Sequence, residues 1–210
     1  MADLSLDALS EQYYDVLKEL GNIGAGNATT ALAQMLGAKV DMSVPSVKLL
    51  EFKDVGDCMG GADQIMAGIY LRMEGDVDGS IMFLTGQKEA RYLANKLIMQ
   101  DKPEDEPFDE MELSALKEIG NIITGSYLNS LATMTNLKMI PSVPYVAVDM
   151  AGAILSVPAI EFGLMGDKLL LIENRFSDDV QISGYFILLP DIDGYKKILG
   201  SLGIDVSMFD

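Results

Sequence analysis

The 210-residue sequence predicts an α/β (α+β) fold that is internally duplicated, with pseudo-two-fold symmetry and two long helices packed with antiparallel β-strands. One reason is that each half repeats the same order of helical and extended hydrophobic patterns. The second is that residues 18–23 (KELGNI) recur as residues 117–122 (KEIGNI). Apolar residues make up 49% of the chain, enough for a sizeable core. A duplication of this kind predicts one site in each half.

The first half begins with a long predicted helix at residues 6–37. A strand follows at residues 40–52 and is interrupted by Pro45. The remaining elements are a short helix at 54–60, strands at 64–73 and 80–85 joined by a hairpin at 75–79, and a helix at 87–99.

The second half follows an acidic segment, residues 101–112, which contains seven acids, two prolines and one lysine and is predicted to be a linker. The predicted elements are a helix at 111–136, a strand at 138–150, a short helix and loop at 151–163, strands at 168–174 and 181–189, and a helix at 191–202. We therefore expect residues 1–210 to form a single domain made of two repeats, at about 6–100 and 109–205.

The charge and composition exclude several classes of function. A net charge of −17 disfavours binding to nucleic acid or to anionic membranes, and favours a protein partner with a basic or metal-bearing face. The chain has no histidine, which excludes Ser-His-Asp and Cys-His nucleophile systems and most zinc sites. We expect no metal and no cofactor of the protein's own.

Three further features favour a cytoplasmic location without membrane insertion. Cys58 is the single cysteine, so no intramolecular disulfide forms. The N-terminal residues lack the pattern of a signal peptide, and the apolar stretches are far shorter than a membrane span.

The chemistry-bearing residues form one polar stripe on each long helix. On a helical wheel the first stripe occupies an arc of about 60°, and it consists of Asp15, Glu19, Asn22 and Gly26. The second helix repeats this geometry with Ser114, Glu118, Asn121 and Gly125. We expect both stripes to face solvent, while a separate apolar face holds the first helix to the core through Leu9, Val16, Leu20 and Ile23.

Glycines inside these helices require an explanation, because each costs about 0.5–1 kcal/mol of helix stability relative to alanine. Gly26 and Gly125 lie on the polar stripes, so they are predicted to let a docking partner approach closely. For Gly21 and Gly24, close helix packing within the protein is an equally good explanation.

The spacing of the polar residues resembles the signature of the CheC, CheX and FliY phosphatases of chemotaxis. That signature is Asp or Ser, three residues, Glu, two residues, Asn, twenty-two residues, Pro. It is present twice, as Asp15, Glu19, Asn22 and Pro45, and as Ser114, Glu118, Asn121 and Pro144. The resemblance covers nearly the full chain, and the two copies and the short length favour the CheC branch of the family.

The resemblance implies an enzyme that hydrolyses the aspartyl phosphate of a phosphorylated CheY-type response regulator, with Mg²⁺ supplied by that substrate. A neutral amide can orient an attacking water without being titrated, so Asn22 and Asn121 are assigned this role. By resemblance, Glu19 and Glu118 pair with the receiver's lysine beside the phosphate. The remaining signature residues support the contact (Asp15 and Ser114) or shape the site edge from within strands (Pro45 and Pro144).

The family resemblance also implies a second partner, the receptor deamidase CheD. Asp149 is a candidate N-cap for the apolar segment at residues 150–155. Ile154 and Leu155 in that segment either contact CheD or fill the core.

The sequence is also compatible with two other functions. One is a non-catalytic adaptor for phosphorylated CheY and CheD. The other is a carboxylate-based hydrolase of a small molecule that uses Asp15 and Glu19.

Overall fold

The computed structural model of the protein describes residues 11–104, 106–162, 168–177 and 181–203. Its helices are α1 (Glu11–Leu36), α2 (Phe52–Cys58), α3 (Gln87–Ile98), α4 (Glu110–Thr135), α5 (Ala151–Phe162) and α6 (Ile192–Ser201). Its strands are β1 (Asp41–Glu51), β2 (Ile65–Gly75), β3 (Gly79–Gly86), β4 (Met139–Pro141), β5 (Tyr145–Met150), β6 (Lys168–Ser177) and β7 (Gln181–Pro190). None of the helices in these described ranges is both long and apolar enough to cross a membrane.

The strands form one antiparallel sheet whose order reflects the duplication. That order is β1-β6-β7-β3-β2-β4, and β5 also pairs with β2. Replacing each strand by its counterpart in the other half gives the same order. The strands β3 and β7 pair at the centre, and β2 and β6 flank them. The strands β1 and β5, which precede these in each half, pair with β6 and β2 of the opposite half. The predicted α+β fold with two long helices and pseudo-two-fold symmetry is therefore confirmed.

Side chains on both faces of the sheet are buried. Phe83 and Phe186 face each other across the central strand pair and pack with the helices α1 and α4 on one face. Their neighbours Met82 and Ile187 point to the other face, where α2 and α5 cover the sheet. Because both faces are covered, the central strands are apolar on both sides, as their sequences SIMFL and YFILL show.

The last residues of the acidic segment cap the N-terminus of α4. The carboxylate of Asp109 accepts a hydrogen bond from the backbone N–H of Glu112, whose own side chain accepts one from the N–H of Asp109. This capping box stabilises the first turn of the helix. Thus Glu110, predicted to lie in the linker, and Glu112, predicted to lie where the linker and the second long helix overlap, both belong to α4.

The proline positions differ between the two halves. Pro45 lies within β1, in the stretch between Ser43 and Ser46 where the pairing with β6 shifts register. Proline has no N–H to donate, so an irregular stretch accommodates it. The predicted strand at 138–150 is instead divided into β4 and β5, and Pro144 is buried in the segment between them. The prediction that Pro144 lies in a strand was therefore wrong.

The face of α1 that meets the core also differs from the prediction. Ile23 is 37% exposed, whereas the α1 residues described as buried are small or apolar: Gly21, Gly24, Ala25, Ala28 and Leu32. The side chain of Leu20 lies outside the described part of the structure. Leu9 lies outside the described residues. Small residues allow α1 to approach α4 closely, and this gain in close packing outweighs the hydrophobicity of Ile23.

Candidate active site

The polar stripes lie at the surface of the two long helices. Glu19 and Asn22 on α1 and Glu118 and Asn121 on α4 are all exposed. Asp15 and Ser114, one turn earlier on each helix, are exposed as well. Within the described part of the chain, neither the Asn22 nor the Asn121 side chain has a hydrogen-bond partner. Two identical Glu–Asn pairs are therefore available to an external ligand, one in each half of the molecule.

The helix glycines fall into two groups according to the space around them. A Cβ atom on Gly24 would lie 2.6 Å from the Tyr127 ring, and one on Gly120 would lie 2.5 Å from Ile69. At those two positions glycine is needed for close packing within the protein. A Cβ on Gly26 or Gly125 would meet no atom within 4 Å. The structure thus shows no packing contact that requires glycine at Gly26 or Gly125, and their predicted role in partner docking stays a prediction.

A groove borders the second stripe. It has a volume of about 380 Å³ and is lined by the motif residues Ser114 and Glu118 together with Lys117, Ala115 and three apolar residues, Leu97, Ile98 and Met111. Leu97 and Ile98 come from the last turn of α3, which belongs to the first half of the chain. The surroundings of the second Glu–Asn pair therefore combine residues from both halves.

A buried ion pair, not predicted from the sequence, joins α3 to α4. Arg91 on α3 bonds to Glu112 on α4, and their side chains are 1% and 0% exposed. Arg91 also donates to the carbonyl of Glu106 and lies 3.9 Å from the centre of the Phe108 ring. The pair joins the two halves through the acidic segment. The only sequence signal for it was the spacing of Asp109 and Glu112, which matches a capping box.

The environment of Glu112 determines its ionisation. Burial by itself would raise the pKa of this carboxyl, but the N–H of Asp109 and the Arg91 guanidinium, together with Lys102, hold the pKa below its ordinary value. Glu112 is therefore ionised at neutral pH and neutralises the buried charge of Arg91.

The residues predicted to contact a second partner lie at the junction of β5 and α5. Asp149 is exposed and pairs with Met66 of β2, and its carboxylate accepts from the N–H of Met150. The prediction of Asp149 as an N-cap was wrong, because α5 begins two residues later, at Ala151. Ile154 and Leu155 are 7% and 6% exposed, which favours the alternative that they fill the core.

The exposed apolar side chains near this junction are different ones. Val157 and Ile160 on α5 are 50% and 77% exposed, and Val143 and Tyr145 lie in and beside the β4–β5 connection with 70% and 63% exposure. Part of this surface lines a cavity of about 530 Å³. We call these four residues the α5 patch.

Within the described ranges, no group of three or more carboxylate or cysteine side chains is arranged to hold a metal ion.

The fold and the two stripes define a class of protein: a duplicated α+β chain that presents the same Glu–Asn pair on two symmetry-related helices. The CheC-like family model matches residues 14–49 and 111–147, which include both copies of the signature from Asp15 to Pro45 and from Ser114 to Pro144. The CheY-P phosphatase CheC of Bacillus subtilis strain 168 is 40% identical over 202 residues, which is 94% of this chain and 97% of that protein. The chain therefore belongs to the CheC-like family.

Solved structures share the fold. The crystal structure of FliY from Thermotoga maritima has a TM-score of 0.75 at 22% identity and covers 93% of this chain and 98% of that one. The crystal structure of a CheX–CheY–BeF₃–Mg²⁺ complex from Borrelia burgdorferi matches with a TM-score of 0.52 at 22% identity, over 81% of this chain and 96% of that one. At these identities the likeness concerns the fold alone.

Proposed function

We propose that this protein hydrolyses the aspartyl phosphate of a phosphorylated CheY-type response regulator. The observation that carries the proposal is the presence of two exposed Glu–Asn pairs at equivalent positions of a CheC-like fold. Its 40% identical relative is named a CheY-P phosphatase. The CheX of Borrelia burgdorferi, which shares the fold, was solved as a complex with CheY, BeF₃ and Mg²⁺.

The chemistry requires little more than a positioned water. An aspartyl phosphate is an activated acyl phosphate, and the receiver supplies its own Mg²⁺ as part of the substrate. Asn22 or Asn121 orients a water in line with the bond between phosphorus and the aspartyl oxygen. The water oxygen bonds to phosphorus as that bond breaks, which releases the aspartate carboxylate and inorganic phosphate. Since no intramolecular partner engages either amide among the described residues, both are available to a water molecule.

Docking is assigned to the acidic member of each pair. Glu19 and Glu118 lie one turn before the asparagines, so a lysine beside the receiver's phosphate can pair with the carboxylate while the amide reaches the water. Gly26 and Gly125, which have open space above them, let the receiver's backbone approach the helix. The net charge of −17 favours encounter with a basic face on the receiver.

A second partner, the CheD deamidase, is proposed for the α5 patch and Asp149. The α5 patch supplies exposed apolar residues, and Asp149 is an exposed carboxylate on the same strand as Tyr145. A hydrophobic centre with a charged rim is the usual anatomy of a protein interface. The surface lies at β5 and α5 of the second half. The two stripes lie on α1 and α4, so both partners have separate contact regions.

A multiple-turnover experiment tests the catalytic proposal. Phosphorylated receiver is mixed with a small amount of this protein, and release of inorganic phosphate is followed over time. We expect each protein molecule to release many phosphates. A non-catalytic adaptor would slow the receiver's own dephosphorylation or leave it unchanged, and release no faster than from receiver alone would contradict the proposal.

A further inference from the structure

Tyr127 lies where the two motif helices and the sheet meet. It belongs to α4 and is 4% exposed, with its ring stacked on Phe186 at 4.0 Å between ring centroids. On the α1 side the ring fills the space that a side chain on Gly24 would occupy. This tyrosine therefore packs between the helix of the second site and the helix of the first.

The hydroxyl group of Tyr127 links the sheet to α1. Its hydrogen faces two acceptors, Oδ1 of Asn174 at 2.6 Å and the carbonyl oxygen of Gly21 at 3.2 Å. Asn174 on β6 is fully buried and donates from Nδ2 to the Ile172 carbonyl at 3.0 Å. Hydrogen bonds in such a dry environment are stronger than at the surface, and they specify one arrangement.

The carbonyl at the end of this chain belongs to the peptide unit that joins Gly21 to Asn22. The Asn22 side chain has no partner of its own among the described residues, so its direction depends on how this stretch of backbone is held. We propose that Tyr127 is a positioning residue for the first site, which it holds from the helix that carries the second site. This inference rests on the proposed phosphatase function and deepens it.

The second site is held differently. The Gly120 carbonyl, equivalent to that of Gly21, accepts from the hydroxyl of Thr124 at 2.6 Å, within the same helix. Because Thr124 and Gly120 lie on the same helix, their hydrogen bond does not fix that helix relative to the sheet. The position equivalent to Tyr127 in the first repeat is Ala28, which has no hydroxyl group. The restraint is thus specific to the first site.

The link does not depend on pH in the physiological range. Burial raises the pKa of Tyr127 well above its ordinary value, and the hydroxyl therefore remains protonated and able to donate.

The experiment uses two single-site proteins. Asn121→Ala leaves only the first site, and Asn22→Ala leaves only the second. Tyr127→Phe is placed in each, since it removes the hydroxyl but keeps the ring. We expect kcat of the first-site protein to fall about three- to tenfold, the loss of one buried hydrogen bond, with KM unchanged. The second-site protein should keep its kcat.

A matched control removes a hydroxyl elsewhere. Tyr195 on α6 donates to the Leu188 carbonyl at 3.3 Å, and among the described residues it has no hydrogen bond to either motif helix. Tyr195→Phe should change kcat in neither background. A loss of the same size for Tyr127→Phe in both backgrounds would indicate a general structural role and overturn the proposal, as would an unchanged kcat in the first-site protein.

A second readout separates this proposal from the proposed function. In the otherwise wild-type protein, Tyr127→Phe should speed backbone hydrogen exchange in α1 around Gly21 and leave the first turns of α4 unchanged. Unchanged exchange in α1 overturns the positioning role even if neither single-site protein releases phosphate. If neither single-site protein releases phosphate but exchange in α1 becomes faster, the phosphatase function is refuted and the positioning role is not.

Discussion

The open space above the stripe glycines leads to a prediction in which stability and binding change in opposite directions. Replacing Gly26 and Gly125 with alanine should raise the free energy of unfolding by about 0.5–1 kcal/mol at each position, because glycine is a poor helix former and the new methyl groups meet no atom within 4 Å. The same methyl groups would lie between the helix and a closely approaching receiver. Overpacking of this kind costs about 1–3 kcal/mol, or roughly five- to 150-fold in Kd.

Two measurements on one variant test this reasoning. Chemical denaturation gives the change in stability, and fluorescence anisotropy gives the affinity for a receiver activated with beryllofluoride. Thr133→Ala is the control, since Thr133 is exposed on α4 outside the stripe and alanine improves helix propensity there too. A Gly26→Ala, Gly125→Ala protein that is more stable but binds the receiver with wild-type affinity would refute the docking role of these glycines.

Three further predictions concern other parts of the molecule. Glu19→Ala with Glu118→Ala should weaken receiver binding and raise KM, because a charged contact is lost; a loss confined to turnover at unchanged affinity would reassign both residues to catalysis. Glu112→Gln preserves the capping box but leaves the Arg91 charge buried and unpaired, so denaturation at pH 7 should show a loss of about 3 kcal/mol. The pKa of Glu112 is lowered, so its stabilising effect is present above the pKa of the unfolded chain and disappears as the pH falls through the folded value; the difference between variant and wild type should shrink in acid, and a constant difference would contradict this. Asp149→Lys should weaken binding to purified CheD, measured by calorimetry, without unfolding the protein; wild-type affinity would remove Asp149 from that interface.

Much of the fold was predictable because the duplication repeats its signals. The family, the two long helices and the antiparallel strands are confirmed by the structure and the comparisons. The stripe residues are placed on exposed helix faces, but their roles in docking and catalysis stay predictions until they are measured.

Other features depended on contacts between distant residues. A helical wheel ranks faces by hydrophobicity, so it chose the face of Ile23 over the glycine and alanine face that packs against α4. The acidic composition of residues 101–112 suggested a solvated linker and concealed Glu112, whose partner Arg91 lies on α3. Nothing in the local sequence connects Tyr127 to Gly21 or Asn174, because only the packing of two helices on the sheet brings them together.

The proposed mechanism depends most directly on Asn22 and Asn121. The double variant Asn22→Ala, Asn121→Ala should retain the wild-type circular dichroism spectrum, because both side chains are exposed and support no packing. In the same multiple-turnover assay its rate of phosphate release should fall to that of the receiver alone. Wild-type phosphate release by a correctly folded double variant would contradict the central claim that these amides position the attacking water.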